Sequence, residues 1–83
     1  MTTLDHVFEN RERIYIPSLN FDNVTSAVAV FKNARLYNCY LYLYLPICTD
    51  FTEAFMGAVI PETINLSSCK KANTFDRIFY NIP

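Results

Sequence analysis

Three cysteines and one histidine are the residues of this 83-residue chain that could supply a thiolate nucleophile, an imidazole base or soft metal ligands. Cys48 comes just before Thr49 and Asp50, where the sequence predicts the start of a helix, and a helix N-terminus can lower a thiol pKa. The only histidine, His6, is far away in the sequence, so no base is placed beside this thiol. We therefore expect Cys48 to be structural, with a thiol-dependent enzyme as an alternative hypothesis.

No metal centre, cofactor or enzymatic activity is predicted. Cys39, Cys48, Cys69 and His6 are widely spaced, whereas zinc sites usually take ligands in close pairs, about two to four residues apart. The chain has one glycine, so it has neither a glycine-rich phosphate loop nor a dinucleotide-binding motif. The carboxylates near the N-terminus alternate with arginines, a pattern typical of a solvated surface.

The segment 36–45 is the strongest indicator of a binding function. It is uncharged and alternates with a period of two residues, which predicts a strand with two different faces. One face is expected to carry Cys39, Leu41, Leu43 and Leu45, and the other Asn38, Tyr40, Tyr42 and Tyr44. The leucine face belongs in a core. The tyrosine side is then a second core layer under a helix, a surface for another protein, or a platform on which nucleic-acid bases stack.

A protein partner is favoured over nucleic acid, because the net charge is −1 and segment 36–45 has no lysine or arginine to neutralise phosphates. Tyrosine is also enriched at protein interfaces. We predict a small non-enzymatic protein-binding protein, for example a phage- or virus-encoded inhibitor of a host factor. Its partner is a heterologous protein or a second copy in a homodimer, and the alternative is a single-stranded nucleic-acid-binding module that uses the same tyrosines. The predicted contact residues are Tyr40, Tyr42, Tyr44, Phe79 and Tyr80, with Arg35 and Arg77 at the rim.

The elements that must position these residues are predicted to form one domain, residues 1–83. Apolar residues at helical spacing predict helices over 22–33 and 50–60, and a third around 4–11, where a hairpin is the alternative. Strands are predicted over 13–16, 36–45, 63–67 and 75–82, the last aromatic on both faces and able to pair with another chain as an edge. No internal repeat is recognised. This order predicts an α+β domain, a sheet of about four strands, mixed parallel and antiparallel, with two or three short helices packed on it.

Turns in a chain with one glycine must depend on asparagine and aspartate, and the candidates are Asn10, Asn20, Asp22, Asn33 and Asn73. The run Asp22-Asn23-Val24-Thr25-Ser26-Ala27-Val28 resembles the calcium-binding turn of βγ-crystallin Greek-key motifs, in which two acidic or amide residues precede a serine or threonine pair by two positions, with Ala27 where the motif has serine. That resemblance implies an all-β Greek-key fold as the alternative.

A cytoplasmic location without a membrane partner is expected. The N-terminus has no basic segment followed by an apolar one, and the odd number of cysteines favours reduced thiols. The longest uncharged stretch, 36–49, is shorter than the roughly 20 residues that span a bilayer.

Overall fold

The computed structural model describes residues 2–82, which wind as a solenoid of stacked coils. Parallel backbone bridges join Thr3 to Ser26, Ser26 to Asp50, and Asp50 to Thr74, so equivalent residues lie 23 or 24 positions apart. The coils are residues 3–25, 26–49 and 50–73, followed by the first part of a fourth coil, 74–82. Each coil contacts its neighbours in the stack, as in other repeat architectures.

A three-stranded parallel sheet occupies the same position in the first three coils. Its strands are β1 (Ser18–Asn20), β2 (Tyr40–Tyr44) and β3 (Thr63–Asn65), in the order β1-β2-β3. Tyr42 is paired with Ser18 on one side and with Asn65 on the other. Successive coils therefore place equivalent residues side by side on one face of the sheet.

A turn of six residues also recurs in each coil, at 5–10, 28–33, 52–57 and 76–81. In the first three turns, alternate backbone N–H groups donate to the next coil, as when Phe31 donates to the Ala54 carbonyl at 2.8 Å and Phe55 to the Ile78 carbonyl at 2.9 Å. The N–H groups between them donate within the same turn, as Lys32 does to the Ala29 carbonyl at 3.2 Å. Two positions of every turn have positive φ: His6, Ala29, Glu53 and Arg77 at the first, and Asn10, Asn33, Gly57 and Asn81 at the second. Asparagine and glycine tolerate this conformation best, which explains their place at the second position.

The predicted α+β fold is wrong. The part of the chain that the structure describes contains no helix, and its sheet has three parallel strands rather than about four in a mixed arrangement. The segments predicted as helices, around 4–11, 22–33 and 50–60, contain the turns instead. Their apolar spacing is real, but only alternate N–H groups bond within the segment, while the others bond to the neighbouring coil, and positive φ interrupts any right-handed helix.

The predicted start of a helix at Thr49 and Asp50 was wrong for a physical reason. Asp50 Oδ1 accepts hydrogen bonds from the Thr52 N–H at 2.9 Å and from the Thr52 hydroxyl at 2.6 Å. In the first coil, Thr3 Oγ1 accepts from the Asp5 N–H at 3.0 Å. These contacts satisfy the same donors that a helix N-cap would, but they close a turn.

The predicted strands are partly correct. β2 and β3 lie within the predicted segments 36–45 and 63–67, whereas 13–16 contributes only an isolated bridge at Ile14. Segment 75–82 is the fourth turn, not an edge strand. The alternative Greek-key fold is also wrong, because Greek keys are built from antiparallel strands and these are parallel.

A column of stacked phenylalanines runs through the coils. This phenylalanine ladder consists of Phe8, Phe31, Phe55 and Phe79, with successive ring centroids 5.3, 5.4 and 5.6 Å apart and the rings within 12° of parallel. Phe31 and Phe55 are fully buried, while Phe79 at the end of the ladder is 44% exposed. Phe31, Phe55 and the inward leucines of the sheet belong to one hydrophobic core, against which Phe8 packs.

Asp5 connects the first coil to the second and gives the fold a dependence on pH. Partial burial by itself would raise the pKa of this carboxyl, but hydrogen bonds from the Ser26 hydroxyl at 2.6 Å and the Val28 N–H at 2.9 Å outweigh it. The net pKa is below the ordinary value of 3.8. Because the pKa of this carboxyl is lower in the folded than in the unfolded state, its ionised form stabilises the fold at pH values above the unfolded-state pKa. This stabilisation is lost as the pH falls through the folded-state pKa.

We expect the stability difference between the wild type and an Asp5→Asn variant to be largest near neutral pH and to shrink as the pH falls below about 4. Urea unfolding at several pH values measures it. A difference that stays constant between neutral and acidic pH would contradict this role for the carboxylate.

Candidate protein-binding face

The tyrosines of β2 stand on the outside of the sheet. Tyr40 and Tyr44 are 43% and 37% exposed, and Tyr42 between them is half-buried. Leu41 and Leu43 point the other way and are fully buried. The sequence-based alternation of tyrosines and leucines is therefore confirmed for β2, and the tyrosine side is a surface rather than a second core layer.

Small uncharged side chains flank the tyrosines on both neighbouring strands. We call this surface the tyrosine face; it consists of Ser18, Asn20, Tyr40, Tyr42, Tyr44, Thr63 and Asn65. Asn65 Nδ2 donates a hydrogen bond to the Tyr40 hydroxyl at 3.0 Å, which orients that ring. Tyrosine with serine and asparagine is also the composition of antibody paratopes, in which rigid rings give contact area and small polar groups give adaptable hydrogen bonds.

Side chains of the loop after β3 form hydrogen bonds with the C-terminal part of β2, which β3 does not reach. β3 pairs with β2 only as far as Tyr42, so Leu43 has no partner on that strand. The Leu43 carbonyl instead accepts hydrogen bonds from the Ser68 hydroxyl at 2.6 Å and the Cys69 thiol at 3.6 Å. These two hydrogen bonds hold the Leu43 carbonyl and so fix the backbone next to Tyr44.

Asn38 and Cys39 are placed opposite to the prediction. Cys39 is exposed, not in the core, and Asn38 is 5% exposed, not on the outer face with the tyrosines. The chain bends at Cys39, so two consecutive residues, Cys39 and Tyr40, face outward and the alternation shifts by one. The buried Asn38 amide supports this bend: Oδ1 accepts from the Ile16 N–H at 3.4 Å, and Nδ2 donates to the carbonyls of Ile16 and Tyr40 at 3.2 and 2.7 Å.

The structure separates the other predicted contact residues from the tyrosine face. Arg77, Phe79 and Tyr80 belong to the turn of the fourth coil, where the Arg77 guanidinium lies 5.5 Å from the centre of the Tyr80 ring. Arg35 is exposed but lies outside the tyrosine face, in a groove that Tyr37 also lines. Of the seven predicted contact residues, the three tyrosines of β2 are the ones that lie together on the tyrosine face.

The environment of Cys48 does not suit a nucleophile. The thiol is fully buried, and this burial raises its pKa to about 11. Its Sγ donates a hydrogen bond to the Asp50 carbonyl at 3.8 Å, and the helix expected after it is a turn. Within residues 2–82, no cluster of three or more histidine, cysteine or acidic side chains is arranged to hold a metal ion. The same range contains no helix of the length and apolarity needed to cross a membrane.

Sequence reasoning missed three surface residues, Arg13, Tyr15 and Tyr37. The signal was present: Arg13-Ile14-Tyr15 recurs 22 positions later as Arg35-Leu36-Tyr37. In the structure the two copies are adjacent, since Ile14 and Leu36 form a parallel bridge and both tyrosines are exposed.

No known protein family matches this sequence, and no curated protein or solved structure matches it either. Its function is therefore inferred from the geometry of the chain's own residues.

Proposed function

We propose that this chain is a non-enzymatic binding protein whose tyrosine face contacts another protein. The observation that carries the proposal is the exposure of Tyr40 and Tyr44 on a sheet whose opposite side is a closed leucine core. A tyrosine ring has few rotatable bonds, so fixing it at an interface costs little conformational entropy, and its hydroxyl provides a polar contact. Tyrosines are therefore common among the residues that contribute most to binding energy.

The position of these tyrosines in the coils also supports the proposal. Tyr42 is held between Ser18 and Asn65 by backbone pairing on both sides, so the row is fixed by three coils rather than by one loop. A preorganised surface loses less entropy on binding than a flexible one. Repeat proteins commonly use an extended surface of this kind for recognition.

Charge disfavours the nucleic-acid alternative at this face. Its residues are tyrosine, serine, threonine and asparagine, without a lysine or arginine among them. Phosphate neutralisation supplies much of the affinity for nucleic acids, and a neutral face lacks it. The thiol-enzyme alternative is disfavoured by the buried Cys48, whose raised pKa keeps it protonated at neutral pH.

Selection from a displayed library of random peptides tests the proposal even while the natural partner is unidentified. We expect enriched peptides to bind the wild type and to lose at least about tenfold in affinity for a Tyr40→Ser, Tyr44→Ser variant. A Phe79→Ser, Tyr80→Ser variant is the matched control, since it removes two exposed aromatic rings from the fourth coil. Peptides that distinguish the control but not the Tyr40, Tyr44 variant would refute the proposed face.

Two further measurements separate the kinds of partner. Light scattering at increasing protein concentration shows whether the tyrosine face binds a second copy. The Tyr40→Ser, Tyr44→Ser substitutions would then abolish this self-association.

Titration with single-stranded oligothymidylate at low salt tests the nucleic-acid alternative. Tight, salt-sensitive oligonucleotide binding that requires the same tyrosines would contradict a protein partner.

A further inference from the structure

An arginine and a tyrosine repeat side by side on two adjacent coils, away from the tyrosine face. The bridge between Ile14 and Leu36 sets Arg13-Ile14-Tyr15 next to Arg35-Leu36-Tyr37. Both apolar middle residues point inward, while Tyr15 and Tyr37 are 63% and 68% exposed. Their ring centroids are 6.3 Å apart with the rings tilted by 45°. Bends at Pro17 and Cys39 separate this surface from the sheet.

Beside this surface lies an open groove of about 520 Å³, which we call the arginine–tyrosine groove; it is lined by Glu12, Arg13, Arg35, Leu36, Tyr37 and Val59. The ion pairs that the described residues form are His6 with Glu9 and Lys32 with Glu53, so neither groove arginine is in one. With Glu12 as its one acidic residue, the lining carries more positive than negative charge. The groove therefore offers planar aromatic surface together with a net positive charge.

The backbone at Arg13 is a second, independent indication of a site. Arg13 has a φ of 58°, a conformation that is uncommon for residues other than glycine and asparagine. The other described residues with positive φ lie in the recurring turns, where the fold requires them. Backbone strain outside such a requirement is concentrated at functional sites. Here the strained residue is itself one of the two arginines that line the groove.

We propose that the arginine–tyrosine groove binds a nucleoside monophosphate. The forked guanidinium donors of Arg13 and Arg35 match the oxygens of a phosphate group. A nucleobase stacks on the exposed ring of Tyr37, as bases stack on aromatic side chains in single-strand binders. The Glu12 carboxylate in the same groove can accept a hydrogen bond from an exocyclic amino group, which favours cytosine or adenine over uracil.

The test is calorimetric titration of the full chain with CMP, AMP and UMP at low salt. We expect CMP and AMP to bind saturably, UMP to bind several-fold more weakly, and cytidine and inorganic phosphate each to bind at least tenfold more weakly than CMP. An Arg13→Gln, Arg35→Gln variant should lose at least tenfold in CMP affinity. A Glu12→Gln variant should reduce the preference for CMP over UMP.

A Lys70→Gln, Lys71→Gln variant is the control, because it removes the same charge from an exposed turn elsewhere on the chain. It should bind CMP as the wild type does, and the amide spectrum of each variant reports its fold. The inference is overturned if CMP does not bind, if inorganic phosphate binds as tightly as CMP, or if the lysine and arginine variants lose equal affinity. None of these results bears on the tyrosine face, which shares no residue with the groove.

Discussion

Replacing Phe31 by alanine is expected to lower the free energy of unfolding by about 4 kcal/mol, a large fraction of the stability of a domain of this size. The Phe31 ring is fully buried and lies in the middle of the phenylalanine ladder, 5.3 Å from Phe8 and 5.4 Å from Phe55. Removing it leaves a cavity in the core and ends two aromatic contacts, which add to the cost of lost burial.

Phe79→Ala is the matched control, since it makes the same change at the end of the same ladder. Phe79 stacks on Phe55 alone and is 44% exposed, so we expect a loss of about 1–2 kcal/mol. Urea unfolding followed by circular dichroism measures both free energies of unfolding. The curves of all variants are fitted with one m value, the dependence of the unfolding free energy on urea concentration. Equal losses at the two positions would contradict this ladder, in which Phe31 is buried between two rings and Phe79 lies at the exposed end.

The second large effect is expected at Asn38. Its amide accepts a hydrogen bond from the Ile16 N–H and donates to the carbonyls of Ile16 and Tyr40, so it joins the segment before β1 to the bend before β2. In an Asn38→Asp variant, a carboxylate faces the carbonyls of Ile16 and Tyr40 where the amide nitrogen had donated to them. We expect a loss of about 3 kcal/mol at neutral pH, because buried acceptors are left unpaired next to a buried charge.

This loss is expected to depend on pH. Burial disfavours the ionised carboxylate, so the substituted side chain has a higher pKa in the folded state than in the unfolded state. Protonation then stabilises the folded state, and the protonated acid regains one donor, so the loss should shrink as the pH falls through the folded-state value. Thermal unfolding between neutral and acidic pH measures this.

Asn65→Asp is the control for the same chemical change on the surface of the sheet. The Asn65 Oδ1 contact with the Ser67 N–H at 2.9 Å survives this substitution, and the Tyr40 hydroxyl can donate to the new carboxylate. We expect a loss below about 1 kcal/mol. A loss at Asn65 as large as at Asn38 would contradict the bracing role assigned to the Asn38 amide.

The local parts of the candidate site could be predicted from the sequence. Alternation of leucine and tyrosine placed Leu41 and Leu43 inside and Tyr40 and Tyr44 outside, because a strand buried on one side leaves few other arrangements. Asn10 and Asn33 were also correctly assigned to turns, where they adopt positive φ. These features depend on neighbouring residues alone.

The fold could not be predicted by the same reasoning, because the sequence of each turn has the local features of a short helix. The side-chain hydrogen bonds of Asp50 and the apolar spacing around Phe31 are compatible both with a helix and with a coil that bonds to its neighbour. The distinguishing signal is long-range: a phenylalanine followed two positions later by asparagine or glycine recurs at Phe8, Phe31, Phe55 and Phe79. The intervening residues vary in type, so the repeat was missed.

Residues one coil apart are neighbours in this fold, so that Ser18, Tyr42 and Asn65 form one continuous surface. Nuclear Overhauser contacts in the isotope-labelled protein test this arrangement directly. We expect cross-strand contacts of the parallel type from Ser18 to Tyr42 and from Tyr42 to Asn65, and no helical i to i+3 series across residues 28–33. A helical series there, with Tyr42 lacking contacts to both partners, would contradict the solenoid and with it the tyrosine face.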